Sequence, residues 1–244
     1  MMITDKITIT HEDNKILMSR YPDNYFDLAI VDPPYGINAA NMQMGSNPKR
    51  SKNDGFGSGP SVSTAVKSKK GRLNSGGGHF KGKNLTTMNC DWDNAIPDLE
   101  YFEELKRVSK NQVIWGGNYF PLPPTRGILV WDKKQAWDNF SQVELAWTSF
   151  DYPAKLYRLS NTGGANDQDK IHPTQKPIPL YKYVLSKYAK KGDKILDTHL
   201  GSGTIAIACH DYGFELTACE LDVNYYNSAI DKIKKHVSQQ KLIL

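Results

Sequence analysis

Ala29-Ile30-Val31-Asp32-Pro33-Pro34-Tyr35-Gly36 is the stretch that decides how this chain is read. The apolar run Leu28 to Val31 predicts a buried strand of a parallel sheet, and it ends on a carboxylate. Neither Pro33 nor Pro34 can donate to a sheet ladder, so the strand stops there. Pro34 also biases Pro33 toward an extended form, which leaves the carbonyls of Asp32 and Pro33 free and stiffly directed. Tyr35 adds a flat ring beside them, and Gly36 lets the chain turn away. A planar heterocycle with an exocyclic amine could lie against Tyr35, with its two N–H groups on Asp32 and the Pro33 carbonyl. The lone pair of such an amine is delocalised into the ring. Two acceptors on its hydrogens draw the nitrogen toward tetrahedral geometry and free the lone pair for an electrophile placed in line. The same residues also read, without chemistry, as a strand end and a Pro-Pro turn carrying an exposed aromatic.

Outward from this stretch, strands are predicted at Ile7 to Thr10, Tyr25 to Val31, Val113 to Trp115, Gly127 to Trp131, Val143 to Trp147, Lys194 to Leu196 and Phe214 to Cys219. Helices are predicted at Asn14 to Ser19 and at Leu99 to Val108, the latter with Leu99, Phe102, Leu105 and Val108 on one face. Further helices run to about Tyr188, over Thr204 to His210, and from an Asp222 cap to about His236. The alternation predicts an α/β fold with a mostly parallel sheet. A chain of 244 residues is read as one domain, 1–244, with an insertion at 38–90.

That insertion, Asn38 to Cys90, has a composition of its own. Nine of the 19 glycines lie in it, with nine Lys or Arg against the single acid Asp54. It shows no helical or strand period and is expected to be a flexible cationic arm able to fold around a phosphate backbone. Read blandly, it is a solvated insertion with no role. The three cysteines Cys90, Cys209 and Cys219 form no C-x-x-C pair and predict reduced thiols with no metal site. With no signal pattern, and no apolar run near the roughly 20 residues of a bilayer span, a soluble cytoplasmic protein is expected.

A second turn lies near the other end: Asp197-Thr198-His199-Leu200-Gly201-Ser202-Gly203-Thr204. Its glycines permit positive φ and close approach of a ligand, and the helix start favours an anion or carboxylate. About 20 residues on, Glu220 ends the next strand, where an acid can grip ribose hydroxyls. There is no G-K-[ST] after the glycines and no third glycine of the dinucleotide fingerprint. Few phosphate-binding features remain, which favours a cofactor with an amino-acid carboxylate and a ribose. S-adenosylmethionine has both, and it is the electrophile that the Asp32 corner requires. The bland reading here is a tight packing turn plus a surface Glu.

Together, D-P-P-Y-G at Asp32 and D-x-x-x-G-S-G-T at Asp197 resemble the DNA amino-methyltransferases. With the catalytic motif first, the chain resembles the circularly permuted β-class of that family. His172-Pro173-Thr174-Gln175-Lys176-Pro177 is similar to the stretch that leads into the cofactor site of that class, and Glu12-Asp13 sits where it has an acid contacting the cofactor. The resemblance runs from about Ile7 to Lys235, apart from the insertion and the loop before His172. It implies a class I S-adenosylmethionine-dependent (Rossmann-like) doubly wound sheet. It further implies that Asp32, Pro33, Pro34 and Tyr35 are the catalytic corner, the amine being held by Asp32 and the Pro33 carbonyl and the flipped base stacking on Tyr35. The implied cofactor set is Asp13, Asp32, Thr174, Lys176, Asp197, His199, Gly201, Ser202, Gly203, Thr204, Glu220 and Leu221. Aspartate at the head of the tetrad implies N6 of adenine in DNA. Alternatives are N4 of cytosine, adenine in RNA, and a silent DNA-binding subunit.

Two departures stand out. Thr198-His199 replaces the Pro-Phe usual in the family. Only about two dozen residues separate Trp147 from His172, too few for a separate recognition domain. DNA contact is therefore expected from the arm, or from a second subunit of a homodimer, unless specificity is low. A restriction partner is not legible.

Overall fold

The computed structural model describes residues 1–37, 93–134, 141–160, 171–172 and 174–239. The arm at 38–90, expected to be flexible and to contact DNA, lies outside the described residues. Eight strands form one sheet: β1 (Ile7–His11), β2 (Leu28–Val31), β3 (Gln112–Trp115), β4 (Ile128–Asp132), β5 (Val143–Thr148), β6 (Lys155–Arg158), β7 (Lys194–Asp197) and β8 (Glu215–Glu220). Their order is β1-β8-β7-β2-β3-β5-β4-β6. Among the described strands β5 alone runs against the rest, pairing antiparallel with β3 and β4. The mostly parallel doubly wound α/β sheet is as expected.

The central strands β2 and β3 are buried throughout, which is why, Gln112 apart, they read as apolar runs. Their side chains alternate between two cores. Leu28 and Ile30 join one with helices α3 (Ile178–Tyr188), α4 (Thr204–Tyr212) and α5 (Val223–Val237). Ala29 and Val31 join the other with α1 (Asn14–Ser19) and α2 (Leu99–Val108). Three of the helix starts follow the capping rule. Asp13, Asp98 and Asp222 each accept a backbone N–H of the first turn of α1, α2 and α5. Helix α2 buries Tyr101, Phe102, Leu105 and Val108, whereas Leu99 is 61% exposed. The face assigned from spacing was rotated: Leu99 occupies the first turn, and Tyr101 takes the place on the core that Leu99 was given.

Strand β6 was not anticipated. Its sequence, Lys-Leu-Tyr-Arg, is largely exposed on the sheet edge, so it carries no apolar alternation. Among the described residues no helix is long and apolar enough to cross a membrane.

Strand β7 leads away to β8 on one side, and β2 leads away to β3 on the other. The two are parallel neighbours, with Leu28 opposite Ile195 and Ala29 opposite Leu196. A doubly wound sheet opens a crevice at the carboxyl ends of such a pair. Asp197 ends one strand and Asp32 follows the other.

Candidate active site

The Asp32 corner is held from several directions. Asp93, itself buried, accepts the backbone N–H groups of Tyr35 (2.6 Å) and Gly36 (2.8 Å) through one carboxylate oxygen, which fixes the turn. Pro33 is buried and Pro34 half-buried. The Tyr35 hydroxyl donates to Asp32 Oδ1 at 2.6 Å. Burial, with the Asp32 charge next to it, keeps that phenol protonated well beyond the usual tyrosine range. Tyr119 stacks on the Tyr35 ring at 5.0 Å and 14°, and Gly116 lies so close that a Cβ there would come within 2.2 Å of it.

Lys176 reaches the same carboxylate. Its Nζ sits 2.5 Å from Asp32 Oδ2, 3.2 Å from the Tyr35 hydroxyl and 3.2 Å from Glu144 Oε2. Glu144 in turn pairs with Lys133 at 2.5 Å. Burial raises the Asp32 carboxyl above the ordinary range, and the Lys176 charge only partly offsets this. For Lys176 burial acts in the opposite direction, and the two carboxylates outweigh it and hold the ammonium above the usual lysine value.

The second corner is built differently. Asp197 is 2% exposed and accepts the His199 backbone N–H at 3.0 Å. Among the described residues no cation forms an ion pair with it, and burial pushes its carboxyl up to about 8. Gly201 and Gly203 both have positive φ, at 52° and 70°. They serve different ends. A Cβ on Gly203 would meet Ile233 at 2.8 Å, so this glycine lets α5 pack on the start of α4. A Cβ on Gly201 would meet nothing closer than 3.8 Å. At Gly201 it is the positive φ, and not a close neighbour, that favours glycine. Ser202 and Thr204 are buried, their hydroxyls 3.3 Å apart. Glu220 accepts the Gly201 N–H at 2.7 Å and the Asp222 N–H at 3.0 Å, and burial raises its carboxyl. Leu221 beside it is 66% exposed, a large apolar side chain at the mouth of the turn.

Thr198 and His199 fit their surroundings by polar contacts. The Thr198 hydroxyl lies 2.7 Å from the Tyr101 hydroxyl and 3.0 Å from His199 Nδ1, while Asn14 Nδ2 lies 3.2 Å from His199 Nε2. Burial lowers His199 to about 4, so the imidazole is neutral near pH 7. Asp13 holds the Lys15 N–H as the cap of α1, next to Asn14. The His172 to Lys176 stretch touches both corners. The His172 ring lies 3.8 Å from the position of a Gly201 Cβ, packs on Tyr225 at 4.4 Å, and holds the Thr174 hydroxyl 3.1 Å from Nδ1. Lys176, at the other end, lies against Asp32. Glu144, Lys133, Asp93 and Tyr119 had no motif to flag them in the sequence. Glu144 stands in a strand on the far side of β3, and only the sheet order brings it to the site.

A family model described as DNA methylase, of the N6/N4 methyltransferase type, matches residues 26–231. The type II methyltransferase M.HpaI of Haemophilus parainfluenzae is 28% identical over 81 residues, 33% of this chain. M.MjaII of Methanocaldococcus jannaschii is 29% identical over 109 residues, 43% of this chain. The chain spans 26% of the first relative's length and 19% of the second's. Among solved structures, the M1.HpyAVI–SAM complex aligns over 95% of this chain and 99% of its own, at 17% identity and a TM-score of 0.53. The cytosine-N4-specific PvuII DNA methyltransferase aligns over 99% and 89%, at 14% identity and a TM-score of 0.57. These likenesses give the fold as that of the class I methyltransferases. With the family model covering most of its length, this chain belongs to the N6/N4 DNA methylase family.

Proposed function

We propose that the protein transfers a methyl group from S-adenosylmethionine to N6 of adenine in DNA. The observation that carries this reading is the meeting of the Asp32 and Asp197 corners at the carboxyl ends of the adjacent strands β2 and β7. The residues present fit the cofactor. Asp197 is a buried acid with no ion-paired cation among the described residues and suits an α-ammonium, Gly201 is not hemmed in by close packing, and Glu220 stands where a ribose would be gripped. When bound, the cofactor supplies an electrophilic methyl carbon. Asp32 accepts one hydrogen of the target amine and the Pro33 carbonyl the other, which makes the nitrogen lone pair available. Tyr35 is the stacking platform in this reading, its ring able to take a planar partner as it takes Tyr119 at 5.0 Å. Drawing the base out of a duplex costs a few kcal/mol, of which stacking offsets roughly 1–3.

Adenine is favoured by the aspartate at position 32. The cytosine target of the PvuII enzyme does not weigh against it, because 14% identity supports the fold alone. The basic segment 38–90 supplies phosphate contacts in this reading, on the strength of its charge. The test is to incubate the protein with S-adenosylmethionine and DNA, digest to nucleosides and identify the product by mass. N6-methyladenine is expected. N4-methylcytosine would move the target, and no methylated nucleoside from a protein that binds the cofactor would leave a silent subunit. Deleting residues 49–83 should weaken DNA binding and flatten its salt dependence; an unchanged slope removes the arm from the interface.

A further inference from the structure

Lys176 stands immediately before Pro177, the cap of α3, with its side chain 2% exposed. A cation entering a helix at its N-terminal end is repelled by the helix dipole, and burial adds a desolvation penalty. Its location therefore depends on what it faces. Asp32 and Glu144 face it at 2.5 and 3.2 Å, the Trp115 ring centroid lies 5.1 Å away, and Lys133 closes the far side of Glu144. Two cations and two carboxylates thus alternate from the end of β4 to the end of β2. None of these groups contacts the glycine turn in the described hydrogen bonds or ion pairs.

We infer that Lys176 is a positioning residue for methyl transfer: in the chain Lys133–Glu144–Lys176–Asp32 it keeps Asp32 ionised and oriented to accept the hydrogen of the target amine. The inference rests on the methyl-transfer reading above. A protonated Asp32 would turn an O–H donor toward Lys176, which has no acceptor site, and would be a weaker acceptor for the amine hydrogen. An ionised carboxylate has about four lone-pair sites over two oxygens. Lys176 occupies one on Oδ2 and Tyr35 one on Oδ1, so acceptor sites remain for an amine. The other titratable groups facing this cluster are Tyr35 from the same turn, Tyr101 from α2, Tyr181 from α3 and Asp197 from β7. The three phenols are held neutral by burial and Asp197 is mostly protonated near pH 7, so Glu144 is the charged acid that opposes ionisation of Asp32 and Lys176 is the cation that favours it.

The experiment follows the Asp32 carboxyl by carbon NMR across pH in the cofactor-free protein, assigned with Asp32→Asn, and measures single-turnover methylation across the same range. In Lys176→Met the titration should move up by about 1–3 pH units, with the rising limb of the rate following it. In Glu144→Gln both should move down, because Lys176 then serves Asp32 alone. Lys176→Arg should restore the limb toward its original position. Affinity for S-adenosylmethionine, read by calorimetry, should stay within about threefold in Glu144→Gln. An Asp32 titration unmoved by either Lys176→Met or Glu144→Gln overturns the inference, as does a titration that moves without the rate. Should Lys176→Met fail to fold, the downward shift in Glu144→Gln decides alone. A wild-type protein that methylates no base sinks the proposed function instead, and is distinguishable because the titration needs neither cofactor nor DNA.

Discussion

Asp32 and Asp197 end neighbouring strands of one sheet, yet they are treated in opposite ways. Asp32 has a lysine at 2.5 Å and a phenol at 2.6 Å. Asp197 has one backbone N–H and no cation among the described residues, and its carboxyl stands at about 8. At neutral pH the first corner carries its own counter-charge and the second is mostly protonated. The difference teaches what each corner is prepared for. A group that must accept hydrogens from a neutral amine needs its charge kept in place beforehand. A group that is to receive a cation can leave that charge to be established on binding.

The comparison breaks first at Asp32. Asp32→Ala should lower the single-turnover rate by about 10²–10³ or more while cofactor affinity, measured by calorimetry, changes little; retained turnover would end the assignment of that corner. Next comes Asp197→Asn, which should weaken cofactor binding by roughly ten- to a hundredfold, the loss of a charged hydrogen bond of about 1.5–3 kcal/mol. The same variant sharpens the contrast through stability. A carboxyl raised in the folded state binds a proton that the unfolded chain releases, so the native fold loses stability as pH rises from about 4 to about 8. Thermal denaturation of the cofactor-free Asn variant should lack that decline and lie above wild type at pH 8, with no gap below pH 4. By the same linkage, cofactor affinity should climb between pH 6 and 7.5, at a slope approaching about tenfold per unit, with proton release seen by titration in buffers of different ionisation enthalpy.

Smaller effects separate the glycines. Gly203→Ala should destabilise the fold by about 2–5 kcal/mol, the strain of its positive φ adding to the lack of room beside α5. Gly201→Ala should cost only about 1–2 kcal/mol from its positive φ and show mainly as weaker cofactor binding. Equal stability losses in chemical denaturation would erase the distinction between packing and open turns. Smallest is His199→Phe. The ring volume is nearly kept, but the Asn14 amide and the Thr198 hydroxyl each lose a hydrogen-bond partner, so a loss of about 0.5–1.5 kcal/mol is expected.

The two corners were readable because each is a local pattern: an apolar run stopped by two prolines, and a glycine turn between strand and helix. Their meeting was an inference from resemblance that the pairing of β2 with β7 bears out. What could not be read was of another kind. Glu144 and Lys133 sit in and just after ordinary strand sequence, and their role depends on β5 lying between β3 and β4. Lys176 was placed with the cofactor by resemblance; what no motif foretold is its pairing with Asp32 and Glu144. Strand β6 has no apolar face to betray it. The rotation of Leu99 out of the α2 face shows how a helical period fixes a stripe but not which residue begins it.

The sheet order also governs how the protein comes into being. Ile7 pairs with Leu216, and Leu28 with Ile195, so the opening strands find part of their lateral support only when the last quarter of the chain has been made. Contacts this distant in sequence form slowly and late. During synthesis the two acids therefore remain apart until the glycine turn has left the ribosome, and no nascent fragment that ends before it can hold both halves of the site.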